Sequence, residues 1–233
     1  MGLASQLSDS AWLFHLGFPI RRFDVTLTEK GLMDDLSWVL DERYDLPNLS
    51  YLSTPSSPVG LRVAWHERGL FFQFDAEHPS RSTVTPKPSG PTFGQPLLCV
   101  NRIYINTRHA PGIQRATEFC TQLVCSGPSV TQESPEQQLR ILAAVVPRAK
   151  EHSPMMGPDM GCGSMSWLDG KAYRTKVFVR STRLNGFQPL VFPEISLHFT
   201  TQHGSTGERQ LARSNRVPVP ENPSLWCYAK LID

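Results

Sequence analysis

"GLRVAWHERGLFFQF", residues 60–74, decides the fold. Leu61, Val63 and Trp65 alternate with Arg62, Ala64 and His66. After "HERG" the beat resumes with Leu70, Phe72, Phe74 and then Ala76 on one side. Successive side chains of a strand point to opposite faces, so strict alternation marks a strand with one face turned to a core. Gly69 can take the positive φ that a short hairpin loop requires. The stretch predicts two antiparallel strands joined by a tight turn.

The same beat recurs along the chain. In "SMSWLDGKAYRTKVFV" (164–179), Asp169-Gly170 is the residue pair that matches native strand twist, and Tyr173, Val177 and Val179 share a face. "EISLHFTT" (194–201) puts Ile195, Leu197 and Phe199 inward and Ser196, His198 and Thr200 outward. "SLWCYAKL" (224–231) places Leu225, Cys227, Ala229 and Leu231 in one phase. Antiparallel sheets with one solvated face generate this pattern. The run "AWLFHLGF" (11–18) is expected to be the first strand. Helical signals are few. Ser134-Pro135-Glu136-Gln137 resembles a capping box, but Leu139, Ile141, Leu142, Val145 and Val146 fit either period. Ser181 to Asn185 before Gly186 suits one helical turn ended by glycine. Three long loops are expected at 78–96, 126–136 and 151–163, each rich in Pro, Gly or Ser. The expected fold is all-β, an antiparallel β-sandwich of jelly-roll or immunoglobulin-like type with at most short helices, running as one domain over residues 1–233.

Composition bounds the function. Hydrophobic residues make up 39% and charged residues 19% of 233, a globular balance. The formal net charge is +2 and no basic stripe is present, so no nucleic-acid partner is expected, and short pairs such as Arg21-Arg22 read as solvated face. Five cysteines, an odd number without a C-x-x-C pair, suit a reducing and cytoplasmic setting over a disulfide framework or zinc site. No apolar stretch approaches the roughly 20 residues of a membrane span, and Gln6 breaks a myristoylation motif. No membrane partner and no cofactor are expected.

"RIYINTRHAPGIQRATEFC" (102–120) starts as a buried strand and then gathers Asn106, Thr107, Arg108, His109, Arg115 and Glu118 around a turn. Glu118 is close enough in sequence to pair with one of the two arginines, so a self-satisfied polar cluster is one reading and a binding rim the other. From Ile103 to Cys120 the chain resembles family 9 carbohydrate-binding modules and their DOMON-like relatives. Those domains carry a W-I-D-T-R-D-type strand end followed by an H-R-A-x-x-F-C-type strand. Ile105, Thr107, Arg108, Arg115, Ala116, Phe119 and Cys120 match. "LRVAWHERGLFFQF" resembles the family's V-A-W-x-x-x-G-L-x-F hairpin, "DGKAY" its D-G-Y element, "LNGFQP" its L-T-G-F-D-P turn and "ENPSLWCYAKL" its terminal strand. The order is kept from about Trp12 to the C-terminus. Asn106 and His109 replace aspartates of the pattern, Gln114 replaces its histidine, and Leu98-Cys99 stand near its missing acidic residue. Those carboxylates would be the hard ligands for calcium and the strong acceptors for hydroxyls, so no metal is expected here.

The resemblance implies a saccharide ligand, mono- or oligosaccharide. A sugar needs flat apolar faces for its ring and polar groups for its hydroxyls. Trp65 is in the core phase. Trp226 and Tyr104 are out of phase with their apolar neighbours, Trp167 precedes a turn, and Trp38 lies in the polar stretch "DDLSWVLDERYD". Trp38, Trp167, Trp226 and Tyr104, with Arg108 and Arg115, form the expected ligand-binding set. No catalytic set is expected, although related modules travel attached to glycoside hydrolases. Asp34, Asp35, Asp41, Glu42 and Asp45 read as a solvated acidic loop, and Cys120 as a buried structural thiol. Two other roles fit the residues: a degenerate sandwich acting as a protein-interaction scaffold, and, more distantly, haem ligation by His66, His109 or His198. The oligomeric state is not legible.

Overall fold

The hairpin forms where the alternation puts it. The computed structural model describes residues 17–46, 59–77, 99–109, 112–127, 136–138, 140–144, 162–169, 172–203, 209–210 and 222–233. The elements are β1 (Gly17–Arg22), α1 (Glu29–Met33), β2 (Val59–His66), β3 (Gly69–Glu77), β4 (Cys99–Asn106), β5 (Cys120–Gly127), β6 (Glu136–Gln138), β7 (Arg140–Ala144), β8 (Cys162–Asp169), β9 (Ala172–Arg180), β10 (Glu194–His203), β11 (Arg209–Gln210) and β12 (Cys227–Ile232). In the hairpin, β2 and β3 pair from Val59 with Ala76 to His66 with Gly69. Gly69 sits at φ +152°, and a Cβ there would lie 1.9 Å from the Val179 carbonyl oxygen of β9. Glycine is required twice over, by the turn and by the neighbouring strand.

The ladder runs β6-β8-β9-β3-β2-β1-β12-β10-β4-β5-β7, with β11 added to β10. The fold is all-β, as expected, but the strands form one continuous sheet where two separate sheets were anticipated. The reason is β1, which pairs in parallel with both β12 and β2 and so bridges the two halves. All other pairings are antiparallel. The sheet doubles over on its own apolar face. Phe199 of β10 packs edge-on to Phe72 and Phe74 of β3, with ring centroids 5.9 and 6.2 Å apart, although four strand pairings separate those strands along the ladder. β7 and β8, near opposite ends of the ladder, come back into contact. Leu61, Val63, Val177, Val179, Ile195 and Leu197 fill the interior, as their phase requires. Each fully buried side chain of this size stabilises the fold by roughly 1.5–3 kcal/mol.

Three details depart from the sequence reading and one that it left open is decided. Asp169 pairs with Ala172, one place along from the pairing that a turn centred on Asp169-Gly170 would give. Residues 136–138 and 140–144 are strands, where the pattern fitted either period. Leu225 is exposed in a 3₁₀ turn over Pro223–Leu225, and the inward phase starts at Cys227. Ser196, His198 and Thr200, expected to face water, are buried. Residues 11–16 of the expected first strand, and nearly all of the three long loops, lie outside the described residues. The turn at Ser181–Arg183 is 3₁₀, and Gly186 follows at φ +68°.

Both outer faces are partly covered. On the β2-β3-β9 side, residues 23–46 cross the sheet and lay Leu32, Leu36, Trp38, Leu40 and Tyr44 on Ala64, Phe71 and Phe178. The Thr28 side chain caps α1 by accepting from the Gly31 N–H at 3.3 Å. Leu36 adopts a left-handed φ of +47°, a conformation that costs about 1–2 kcal/mol for a residue with a Cβ. Its carbonyl accepts from the Nζ of buried Lys176 at 3.2 Å, which ties the crossing to β9. On the other half, Tyr104, Ala116, Cys120 and Trp226 form a smaller apolar cluster.

Candidate functional site

The polar turn after β4 is built by register. Asn106 pairs with Cys120 of β5 and with Ser196 of β10, so residues 107–109 leave the sheet at one end, beside the start of β10. Thr107 Oγ1 donates to the Asn185 carbonyl at 2.5 Å, and Asn185 Nδ2 donates to the Glu118 carbonyl at 3.2 Å. Gly186 is needed here: a Cβ on it would meet the Phe119 ring at 2.9 Å and the Arg108 guanidinium at 3.2 Å. That guanidinium stacks over Phe192 at 3.6 Å from its centroid, reaches Phe119 at 5.4 Å, and donates to the Thr107 carbonyl at 3.2 Å. Partial burial lowers the pKa of Arg108 from its ordinary value, yet arginine stays protonated in proteins. Its neighbours Leu190, Val191 and Phe192 are 70, 66 and 43% exposed, an apolar strip beside a fixed cation. His109 Nδ1 lies 2.8 Å from Ser196 Oγ, its ring is 4.7 Å from Tyr228, and the Tyr228 hydroxyl donates to Glu194 at 2.9 Å.

The expected ligand-binding set is not assembled as a platform. Trp38, Trp226 and Tyr104 are only 2, 2 and 3% exposed, so none offers a face for stacking. Trp38, expected to be reachable, is packed edge-on to Phe71 at 5.2 Å with the Lys176 amine 5.4 Å above its ring. Its polar sequence setting misleads, because the charges around it cap and pair elsewhere: Asp41 chelates Arg43, and Asp45 pairs with Arg62 at 2.6 Å. Tyr104 and Trp226 do come together, centroids 5.8 Å apart, but as part of the covered cluster. Trp167 lies on β8 opposite Arg174, and its side chain is outside the described residues. Arg115 is exposed, and Arg108, among the described members of the set, is half-buried and held by Phe192 and Thr107. Cys120 is buried and its thiol is pushed up by that burial. His66 Nδ1 accepts from the Arg68 N–H, and His198 stacks on Tyr104, so the histidines of the haem reading serve different neighbours.

An open cleft of about 410 Å³ lies at the same end of the sheet, lined by Arg21, Arg22, Arg43, Tyr44 and Asp233. Arg22 pairs with Glu67 at 2.6 Å and sits over Trp65, 5.7 Å from the ring centroid.

No protein-family model matches the chain, and no curated protein matches it. Solved structures do. A family 9 carbohydrate-binding module from Caldicellulosiruptor kristjanssonii in complex with cellotriose superposes with a TM-score of 0.51 at 11% identity, over 92% of this chain and 93% of that one. The same kind of module from that organism in complex with glucose gives 0.52 at 11%, over 93% and 95%. The chain has the fold of a family 9 carbohydrate-binding module. On this fold Asn106 and His109 fasten the turn locally: Asn106 Oδ1 accepts from the Arg108 N–H at 3.1 Å, and His109 Nδ1 lies against Ser196 Oγ. Among the described residues no group of three His, Cys, Asp or Glu side chains is placed to hold a metal ion. Phe192 and the cleft were missed in the sequence. The visible signal for the first was "LVFP", an apolar tripeptide before proline with no period to bury it.

Proposed function

We propose that the chain is a non-catalytic carbohydrate-binding module that takes a mono- or oligosaccharide on the open strand end around Arg108 and Phe192. The observation that carries this reading is the module fold, shared over more than nine-tenths of the chain with proteins seen holding glucose and cellotriose. The strand end supports it chemically. A hexose presents an apolar C–H face that stacks on a flat ring, and Phe192 is a partly exposed ring braced by a guanidinium. Arg108 stands beside it, with His109 next in the chain, to hydrogen-bond hydroxyls. One ring and two polar groups support weak binding, Kd roughly millimolar to micromolar, or about −4 to −8 kcal/mol. The ring is set on a short loop, so the ligand approaches from solvent without opening the fold. The odd set of five cysteines, without a C-x-x-C pair, supports a cytoplasmic setting.

Calorimetric titration with glucose, cello-oligosaccharides and a panel of other neutral sugars tests the reading. Binding is expected for at least one, with Phe192→Ala weakening it about tenfold or more while the melting temperature holds, because the ring is on the surface. No heat and no melting shift with any sugar at tens of millimolar overturns it.

A further inference from the structure

The cleft between the ends of β1 and β12 is a separate matter from the Arg108 surface. Its three guanidiniums differ in what they already hold. Arg22 is fixed between Glu67, 2.6 Å away, and the Trp65 ring. Arg43 is fixed on Asp41 through contacts of 2.8, 3.0 and 3.1 Å, with its guanidinium 5.5 Å from the Tyr44 ring centroid. Both charges are matched, and both side chains are pre-set so that little rotamer freedom remains to be lost on binding. Arg21 is exposed at β1, opposite Ile232, and has no ion-pair partner among the described residues. Asp233 also lines the cleft. Tyr44 closes one wall, its hydroxyl donating to the Arg22 carbonyl at 3.4 Å and its ring held edge-on by Phe23.

We propose that this cleft binds a hydroxylated carboxylate, the uronic-acid unit of an acidic saccharide; the saccharide part of the assignment rests on the module reading above. Arg21 supplies a cation with no ion-pair partner among the described residues, and its planar fork suits a carboxylate in two parallel hydrogen bonds. Asp233 supplies an acceptor for hydroxyl donors. A bare anion such as acetate offers Asp233 no hydroxyl donor, and a neutral sugar offers Arg21 no carboxylate; a uronate supplies both. The volume of about 410 Å³ lies within the roughly 300–1,000 Å³ of small-ligand clefts. The leftover N–H groups of Arg22 and Arg43 add further donors for ring and hydroxyl oxygens.

The experiment is a calorimetric titration at low salt with glucuronate, glucose and acetate, on the parent chain and on Arg21→Ala, Arg21→Lys and Phe192→Ala. Glucuronate is expected to bind about tenfold or more tighter than either glucose or acetate. Arg21→Ala abolishes that preference, Arg21→Lys keeps only part of it, and Phe192→Ala leaves the glucuronate affinity itself unchanged. Raising ionic strength to about 0.5 M weakens glucuronate several-fold. Arg21 is on the surface, so its variants retain the parent melting temperature. Glucuronate binding no tighter than acetate, no tighter than glucose, or indifferent to Arg21→Ala overturns the proposal. The two readings fail separately: loss of Phe192-dependent glucose binding removes the module reading, whereas loss of Arg21-dependent glucuronate binding removes this one.

Discussion

Trp38→Ala separates a structural tryptophan from a sugar platform. The side chain is buried between residues 23–46 and β3, packs edge-on to Phe71 at 5.2 Å, and lies under the Lys176 amine at 5.4 Å. Removing a buried tryptophan costs about 3–5 kcal/mol. Roughly 0.5–1.5 of that is the aromatic pair, and a desolvated cation over the ring contributes up to about 2. For a chain of this length each kcal/mol moves the midpoint by about 2–4 °C, so the variant should melt roughly 6–20 °C lower. Lys176 donates to Leu36, so the loss should spread to that left-handed residue and loosen the whole crossing. Urea melts and amide hydrogen exchange read both effects. The expected result is lowered stability with protection lost first over residues 29–44, and saccharide affinity of the remaining folded fraction unchanged. A variant that melts within about 1 °C of the parent yet binds no sugar would refute the burial and restore Trp38 as a contact residue.

Other consequences are more local. Gly69→Ala forces a Cβ against the Val179 carbonyl at a φ of +152°, and strain of this kind costs at least about 1–3 kcal/mol, checked by thermal melting; an unchanged midpoint contradicts the β3–β9 spacing. Burial lowers His66 below its usual 6.5, outweighing the upward pull of Glu67 beside it. The unfolded chain therefore binds more protons, so the His66 contribution is full above pH 6.5 and is lost as pH falls below it. Stability of His66→Gln should flatten across that acidic window, and superimposable parent and variant profiles would contradict it. Burial pushes the partly accessible Cys162 thiol up to about 12, against the pull of Arg183 and Arg180. The folded protein should resist alkylation by iodoacetamide there at pH 8, and stoichiometric labelling of Cys162 in the native state would show otherwise.

How far the sequence carries can be seen at β10. Alternation there assigns Ile195, Leu197 and Phe199 to the interior, and all three are fully buried. The opposite phase, Ser196, His198 and Thr200, is buried as well, because a two-residue period tells which face a side chain takes but not what will cover that face. Phe71 and Phe178 illustrate the same limit: their cover is residues 23–46, joined to β2 by the Asp45–Arg62 bridge, a contact no local pattern encodes. The parallel pairing of β1 was equally hidden, since six residues cannot advertise partners more than 40 and 200 positions away. For the candidate site, Arg108 was legible from its place at a strand end. Phe192 was not, because its significance comes from the guanidinium that folding brings onto it. Arg21 and Arg22 read as solvated surface in the sequence; only the register that sets them beside Asp233 and Tyr44 gives them an opening to share.

Mapping a saccharide onto the folded chain by two-dimensional NMR tests the central claim most directly. With glucose or cellotriose added in the millimolar range, shifts are predicted at the amides of residues 107–109, 190–192 and 194, with the Trp38 and Trp226 indole signals still. Shifts confined to those indoles, or a spectrum that no sugar moves, would contradict it.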